Sequence, residues 1–135
     1  MDEISKFLGF KKTIPFVVSK DVYNAFQKCS CDFNPLHTNV VFARLKGFKE
    51  CVMYGNILNA FVSCAIGEQL PSKNVIIHSQ DIQYKNPFFL NDKLEMFLEV
   101  EDIHESVNVI ELKFKFLNEQ NVIVSKGHIQ IGILL

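Results

Sequence analysis

Hydrophobic and polar positions follow different patterns in the two halves of the chain. Residues 14–18 form a β-branched and aromatic run that predicts a strand, and helical spacing of apolar residues follows in three short segments. The second half alternates apolar and polar residues in long runs, which is typical of strands. These runs cover 75–84, 93–103, 107–117 and 122–133. A strand, then helices, then antiparallel strands predict an α+β domain.

The three predicted helices differ in how much of their surface is apolar. Ser19 is placed to cap the first, and Thr38 or Asn39 is placed to cap a short second helix that Gly47 ends. The third covers 56–68 and is apolar on most sides. We therefore expect the third helix to be buried on most sides, with the sheet packed around it.

Two irregularities are predicted between these elements. Segment 30–37 is expected to be a turn, because Pro35 disfavours a helical conformation of Asn34. The apolar alternation changes phase in the run 107–117, which predicts a β-bulge near Ile110 and Glu111.

Composition and charge limit the classes of function. The chain has 135 residues without a repeat or linker, which predicts a single domain spanning 1–135. A net charge of -1 argues against a nucleic-acid partner. The first residues lack the pattern of a signal peptide, and no apolar run approaches the roughly 18 residues that span a bilayer. These features predict a cytoplasmic protein without a membrane partner.

The cysteines and histidines do not predict a metal site. Cys29, Cys31, Cys51 and Cys64 contain no C-x-x-C pair, and we expect free thiols in a reducing compartment, with Cys64 buried in its helix. No two histidines stand four residues apart on a helix. His78, His104 and His128 are expected on the surface or lining the sheet.

Candidate chemistry is concentrated around Pro35. Asp32 can take a proton, His37 can give or take one near neutral pH, and the amide of Asn34 can orient a water or a substrate oxygen. Together these groups could add water to an activated double bond or remove it. Taken alone, however, the segment is more typical of an ordinary turn in which Asp32 caps backbone N–H groups.

A second candidate feature is Tyr54-Gly55 at the start of the third helix. The first N–H groups of a helix have no internal partner and carry the positive end of its dipole. A thioester carbonyl would be polarised there, and a developing enolate oxygen stabilised. Gly55 permits close approach because it has no side chain.

In combination, these segments resemble a known family. Residues 31–39, followed by 42–44, resemble the hydratase-2 motif of MaoC-like dehydratases, and in particular of the (R)-specific enoyl-CoA hydratases. The resemblance continues, in order, through 54–58, 67–71 and 79–84, and so covers nearly the full chain.

This resemblance implies a fold, an activity and partners. The fold is the hotdog fold, in which a curved antiparallel sheet wraps a long central helix, and the protein is expected to be a homodimer joined edge to edge. The activity is reversible hydration of trans-2-enoyl thioesters to (R)-3-hydroxyacyl thioesters, without a cofactor. The substrate carrier is coenzyme A or acyl carrier protein.

The resemblance also implies roles for individual residues. Asp32 and His37 become the catalytic acid/base pair that holds the attacking water, and Asp32 is the expected base. Asn34 becomes an amide that helps to fix the site, and the Gly55 N–H becomes the oxyanion donor.

Two further positions are candidates for substrate binding. Tyr54 stands where the family often has histidine, so it is expected to change the pocket's shape or add a hydroxyl. Ser63 lies on the central helix near the expected path of the thioester, although a buried serine bonded to its own helix is the alternative. Four lysines are candidates for attracting the phosphates of coenzyme A or an acidic face of acyl carrier protein, namely Lys11, Lys12, Lys46 and Lys49.

Two other functions stay open at this point. The hotdog fold also hosts acyl thioesterases, although their carboxylate stands on or near the central helix and Glu68 is at its far end. A non-catalytic acyl-binding subunit is the second alternative, against which the intact set of Asp32, Asn34 and His37 argues.

Overall fold

The computed structural model describes residues 2–135 and contains four α-helices, two short 3₁₀ helices (Ile4–Phe7 and Glu105–Val107) and five strands in that range. The α-helices are α1 (Lys20–Ser30), α2 (Pro35–Thr38), α3 (Val40–Leu45) and α4 (Ile57–Glu68). The strands are β1 (Lys11–Val17), β2 (Val75–Tyr84), β3 (Lys93–His104), β4 (Val109–Leu117) and β5 (Ile123–Ile133). This order agrees with the predicted α+β pattern.

The strands form a single antiparallel sheet in the order β1-β3-β4-β5-β2. Alternate residues of β4 are buried on one face, namely Ile110, Leu112, Phe114 and Phe116. The buried side chains of this face and of α4 belong to the same apolar core. Strands β1 and β2 are the edges of the sheet, so each has one side without a neighbouring strand.

The predicted bulge is in a different strand. The register shifts between Val100 and Asp102 in β3, opposite Glu111, and β4 itself alternates without interruption from Ile110 onward. The apparent change of phase arose because Val107 belongs to a short 3₁₀ turn rather than to the strand. The extra residue is therefore in β3, the strand that pairs with β4, and not in β4 as predicted.

The prediction that α4 is buried on most sides is wrong for the isolated chain. One side is buried, through Ile57, Leu58, Phe61, Val62, Ala65 and Ile66. The opposite side is exposed and carries small residues, among them Ala60, Ser63 and Cys64. The sheet covers only the side that it faces, so the Cys64 thiol is exposed rather than buried.

The short helices begin where their capping residues predict. The Ser19 side chain accepts a hydrogen bond from the Val22 N–H, and the Asn39 side chain accepts one from the Phe42 N–H. Gly47 follows α3 with a φ of 96°, a left-handed conformation that glycine adopts without strain. Segment 30–37 is not only a turn, because α2 begins within it.

The site defined below lies where this short-helix region meets the first residues of α4. Backbone bonds tie the regions together: the Val52 N–H donates to the Leu36 carbonyl, and the Met53 N–H donates to the Phe88 carbonyl. No helix within residues 2–135 is long and apolar enough to cross a bilayer.

Candidate active site

The loop that carries Asp32, Asn34 and His37 is shaped by its own side chains. Asn34 is extended, with ψ at 134°, as the following proline requires, and its Oδ1 accepts the Leu36 N–H at 2.9 Å. Pro35 occupies the first position of α2, where its missing N–H costs nothing. One carboxylate oxygen of Asp32 accepts the Asn34 N–H at 2.9 Å. The expected capping role of Asp32 is therefore real, but it uses only one of the two oxygens.

His37 is held in a defined orientation by the main chain. Its Nδ1 lies 2.7 Å from the Val52 carbonyl oxygen. A carbonyl can only accept, so Nδ1 carries the proton and the lone pair of the neutral ring is on Nε2. The His37 side chain is only 16% exposed, and this bond from a distant segment selects its tautomer.

The free groups of the pair face each other across a short gap. The second carboxylate oxygen of Asp32, Oδ2, lies 4.0 Å from His37 Nε2, too far for a direct hydrogen bond. A water about 2.8 Å from both atoms would fit between them and could donate one hydrogen to each. The structure thus brings together the two residues that were predicted to hold a water.

The Gly55 N–H lies at the start of α4, as predicted. Within residues 2–135 this N–H has no backbone hydrogen-bond partner, while the Gly55 carbonyl already accepts the Leu58 N–H. The N-cap residue Asn56 makes no side-chain cap bond, so the positive end of α4 is not neutralised by its own side chain. This N–H is available for an external acceptor.

Gly55 and His37 line the same cleft, which has a volume of about 330 Å³. We call it the His37–Gly55 cleft. Its other walls are mainly apolar and include Phe48, Val52, Met53, Tyr84, Lys85 and Phe88. A ligand in this cleft can therefore contact the imidazole and the helix N-terminus at once.

Several of these cleft residues were missed by sequence reasoning. The Tyr84 ring lies against Gly55, such that a Cβ added to the glycine would be 3.0 Å from it. Burial raises the pKa of the Tyr84 hydroxyl, so it stays protonated at neutral pH. Lys85 adds a positive charge. The sequence does show a tyrosine and a lysine just before the turn 86–87, as a binding site could require. The residues around this turn, however, give no sign that it lies next to Gly55.

The remaining candidates for substrate binding have different surroundings. Asn34 is an exposed cap, in line with a role in fixing the loop. The Tyr54 side chain is 2% exposed, and its hydroxyl donates to the Asp32 carbonyl, so it lies behind the pair and not in the cleft. Ser63 is on the exposed side of α4, about two turns from Gly55. It is therefore not the buried serine of the alternative prediction.

A second histidine–carboxylate cluster was not foreseen. His104 Nε2 lies 3.2 Å from a Glu111 oxygen and 3.5 Å from an Asp102 oxygen, at the bulge between β3 and β4. The ligand atoms of the three residues all lie within 4.8 Å of one another. All three side chains are more than two-fifths exposed, so this cluster is on the surface and separate from the His37–Gly55 cleft.

Comparison with known proteins finds relatives over most of the chain. The model of the MaoC like domain matches residues 4–120. An (R)-specific enoyl-CoA hydratase from Aeromonas caviae is 30% identical over 103 residues, covering 76% of this chain and 77% of the relative. A mitochondrial 3-hydroxyacyl-[acyl-carrier-protein] dehydratase from Arabidopsis thaliana is 25% identical over 114 residues, covering 82% of this chain and 68% of the relative.

Solved structures show the same fold. The (R)-hydratase of A. caviae involved in PHA biosynthesis superposes with a TM-score of 0.85 at 26% identity, covering 93% of this chain and 95% of that one. An (R)-hydratase from Pseudomonas aeruginosa gives a TM-score of 0.84 at 26% identity, covering 93% and 81%. The fold is thus the hotdog fold that the resemblance implied. The chain belongs to the MaoC-like dehydratase family and is an enzyme of the hydro-lyase class.

Proposed function

We propose that this enzyme adds water to trans-2-enoyl thioesters to form (R)-3-hydroxyacyl thioesters, and catalyses the reverse dehydration. The observation that carries the proposal is the arrangement around one cleft. His37 and Gly55 line it together, and Asp32 Oδ2 faces His37 Nε2 across 4.0 Å. The A. caviae and A. thaliana relatives are named for the two directions of such a reaction.

The proposed mechanism begins with the thioester carbonyl at Gly55. Its oxygen accepts the free N–H, and the dipole of α4 stabilises the negative charge that develops as an enolate forms. The apolar walls of the cleft lower the local polarity around the bound thioester and so strengthen this interaction. Polarisation of the carbonyl makes the β-carbon electrophilic.

The attacking water occupies the gap between Asp32 and His37. It donates one hydrogen to Asp32 Oδ2 and the other to His37 Nε2, which leaves an oxygen lone pair directed at the substrate. As the C–O bond forms at the β-carbon, Asp32 takes a proton from the water. The same carboxyl then delivers that proton to the α-carbon, which collapses the enolate and gives addition on one face.

The carrier is proposed to be coenzyme A or acyl carrier protein. Lys85 lines the His37–Gly55 cleft, and Lys46 and Lys49 flank Phe48, another lining residue. The Lys49 ammonium lies 4.5 Å over the Phe89 ring, and the Lys46 ammonium lies 5.3 Å over the Phe42 ring. These cations suit a phosphate-bearing carrier better than Lys11 and Lys12, which belong to edge strand β1.

A homodimer is proposed from the exposed edge of the sheet. Strand β2 is ten residues long, almost wholly exposed and unpaired on its outer side, and Ile76 is 52% exposed. Such an edge is a template for pairing, and the small residues on the exposed side of α4 would allow close helix contact. Ile76→Glu with Ile77→Glu should give a monomer in analytical ultracentrifugation. A wild-type monomer would contradict the proposal.

We propose a cytoplasmic location because the cysteine thiols are free. Cys29, Cys31, Cys51 and Cys64 are unpaired, as suits a reducing compartment.

The alternative, thioester hydrolysis, has little support in the geometry. Glu68 is at the opposite end of α4 from Gly55, about 18 Å away along a helix of twelve residues, and it pairs with Lys73 at 2.8 Å. Lys73 also lowers the pKa of the Glu68 carboxyl through its hydrogen bond and its charge. Release of free thiol from a saturated acyl-CoA would favour this alternative.

The proposal is tested by the loss of enoyl-thioester absorbance with crotonyl-CoA. The wild type should consume the substrate, and Asp32→Asn should reduce turnover roughly 100-fold or more, because the amide cannot take the proton. The amide oxygen can still accept the Asn34 N–H, so the loop should keep its shape. Asp102→Asn, the same change at an exposed carboxylate, is the control and should be fully active.

If crotonyl-CoA is not consumed, longer enoyl chains and carrier-protein thioesters are the next substrates. Ligand binding without turnover on all of them would contradict the hydratase proposal and support a non-catalytic acyl-binding subunit. Full activity of Asp32→Asn would remove Asp32 from the mechanism.

A further inference from the structure

Two buried tyrosine side chains pack beneath the loop that carries Asp32 and His37. Tyr23 projects from α1 and is 8% exposed, and Tyr54 precedes α4 and is 2% exposed. Gln27, one turn after Tyr23 on α1, lies between the two hydroxyls. None of these side chains was predicted to contact the loop.

Each tyrosine hydroxyl donates to the main-chain carbonyl of one member of the catalytic pair. The Tyr54 hydroxyl donates to the Asp32 carbonyl at 2.5 Å, and the Tyr23 hydroxyl donates to the His37 carbonyl at 2.8 Å. The Gln27 amide nitrogen donates to both phenolic oxygens at 3.2 Å. A hydrogen bond from Gln27 strengthens each hydroxyl as a donor, because linked hydrogen bonds polarise one another.

The Tyr54 ring also sets the plane of the imidazole. Its centroid lies 4.2 Å from that of His37 at an interplanar angle of 32°. The Tyr54 ring also packs against Phe26, with ring centroids 4.9 Å apart, and against Tyr23, with centroids 5.6 Å apart. Tyr54 thus contacts both residues of the pair: its ring lies against the His37 imidazole, and its hydroxyl donates to the Asp32 carbonyl.

The Tyr23 hydroxyl remains a donor at neutral pH. Burial raises the pKa of Tyr23, and the neighbouring Tyr54 raises it further. A phenol that stays protonated keeps its O–H directed at the His37 carbonyl. The contact is therefore permanent rather than switched by pH near neutrality.

We infer that Tyr54, assisted by Tyr23, is a positioning residue that sets the gap between Asp32 Oδ2 and His37 Nε2. The Asp32 side chain is 45% exposed and bonded only through Oδ1, so its backbone anchor decides where Oδ2 points. His37 is anchored at its carbonyl, at its Nδ1 and on its ring face. The catalytic consequence of this inference rests on the proposed function.

The test compares hydroxyl removal beneath the pair with hydroxyl removal elsewhere. Tyr54→Phe keeps the ring and removes the hydroxyl, and we expect kcat to fall roughly 10- to 100-fold with KM within about twofold, because misplacement affects the transition state and not ground-state binding. Ser72→Ala is the matched control. It removes a buried hydroxyl that bonds to Glu3 beyond the far end of α4, and should leave kcat unchanged at a similar thermal stability.

A double-mutant cycle sharpens the test. Since Tyr23 and Tyr54 share Gln27 and hold the same loop, the kcat losses of Tyr23→Phe and Tyr54→Phe should not add. A kcat within twofold of wild type in Tyr54→Phe would overturn the inference, as would a loss no larger than that of Ser72→Ala.

A spectroscopic measurement separates this inference from the proposed activity. The 15N resonances of the His37 imidazole should report a protonated Nδ1 in both proteins, because the Val52 carbonyl selects that tautomer, and the Nε2 resonance should shift in Tyr54→Phe because Asp32 Oδ2 changes its distance from that nitrogen. If the wild type hydrates no enoyl thioester, the proposed function fails while the resonances still decide the positioning role. Identical His37 resonances in the two proteins would overturn that role regardless of turnover.

Discussion

His37 and His104 are two of the three histidines within residues 2–135 that lie beside carboxylates, and their surroundings differ. His104 lies 3.2 Å from Glu111 and 3.5 Å from Asp102, closer than the 4.0 Å that separates His37 from Asp32. The His104 side chain is 41% exposed, whereas that of His37 is 16% exposed. The tighter cluster is the more exposed one.

The difference is in what surrounds each imidazole. The ring nitrogen of His37 that does not face Asp32 donates to the Val52 carbonyl, and its ring lies against Tyr54. The cleft beside it also contains the free N–H of Gly55. Exposed ion pairs contribute little because solvent screens them, and the three side chains of the His104 cluster are all exposed. Orientation and a shared cleft, rather than proximity, distinguish the Asp32–His37 pair from the His104 cluster.

The largest difference between the two clusters should be seen when the same histidine substitution is made in each. His37→Gln should lower kcat roughly 10²- to 10⁴-fold, since the group that holds the water beside Asp32 is lost. His104→Gln should leave kcat unchanged. Initial rates with crotonyl-CoA measure both, and equal losses in the two variants would contradict the assignment of the site to His37.

A smaller effect is expected from loosening the loop. Asn34→Ala removes the cap of α2 and should cost about 1 kcal/mol of stability, with a fall in kcat of about tenfold because α2 carries His37. Asn39→Ala removes the equivalent cap of α3 and is the control. Thermal melts should shift alike in both variants. If kcat also fell alike, the loop around His37 would have no special role.

Crowding the oxyanion donor should have a milder effect. Gly55→Ala retains the N–H but places a Cβ 3.0 Å from the Tyr84 ring, which must move by a few tenths of an ångström. We expect a severalfold rise in KM with a smaller change in kcat, because the cleft narrows while the N–H donor stays. Steady-state kinetics of Gly55→Ala and of Gly55→Ala with Tyr84→Leu separate the two parameters. Failure of the smaller side chain to restore KM would contradict the crowding explanation.

The smallest effects are expected in the exposed cluster. Glu111→Gln removes the charge of the carboxylate nearest to His104 and should change the free energy of unfolding by less than about 1 kcal/mol. Urea unfolding at two salt concentrations measures it, and turnover should be unaffected. A loss of several kcal/mol would show that the bulge depends on this ion pair.

Local features were predicted well because they depend on neighbouring residues. Helix α4 starts one residue after the predicted position and ends as predicted, and Ser19 and Asn39 are caps as expected. Asn34 is extended because proline follows it directly. The one-turn helix α2 was missed, since four residues give too weak a periodic signal.

Features that depend on distant residues could not be predicted. The bulge was placed in β4 instead of β3, because alternation within one strand does not reveal its register against the next. The burial of α4 was overestimated, because an apolar helix face does not show whether the same chain covers it. The exposed Cys64 follows from the same error.

Most secondary-structure elements, the candidate chemical groups and the family of this enzyme could be predicted from the amino-acid sequence alone. Proline, capping side chains and apolar spacing act within a few residues, so the Asp32–His37 loop and the start of α4 are readable from the chain. The tautomer of His37 and the position of Tyr54 behind the pair depended on the tertiary structure. These outcomes rest on contacts between residues about fifteen or more positions apart, which only packing brings within hydrogen-bond distance.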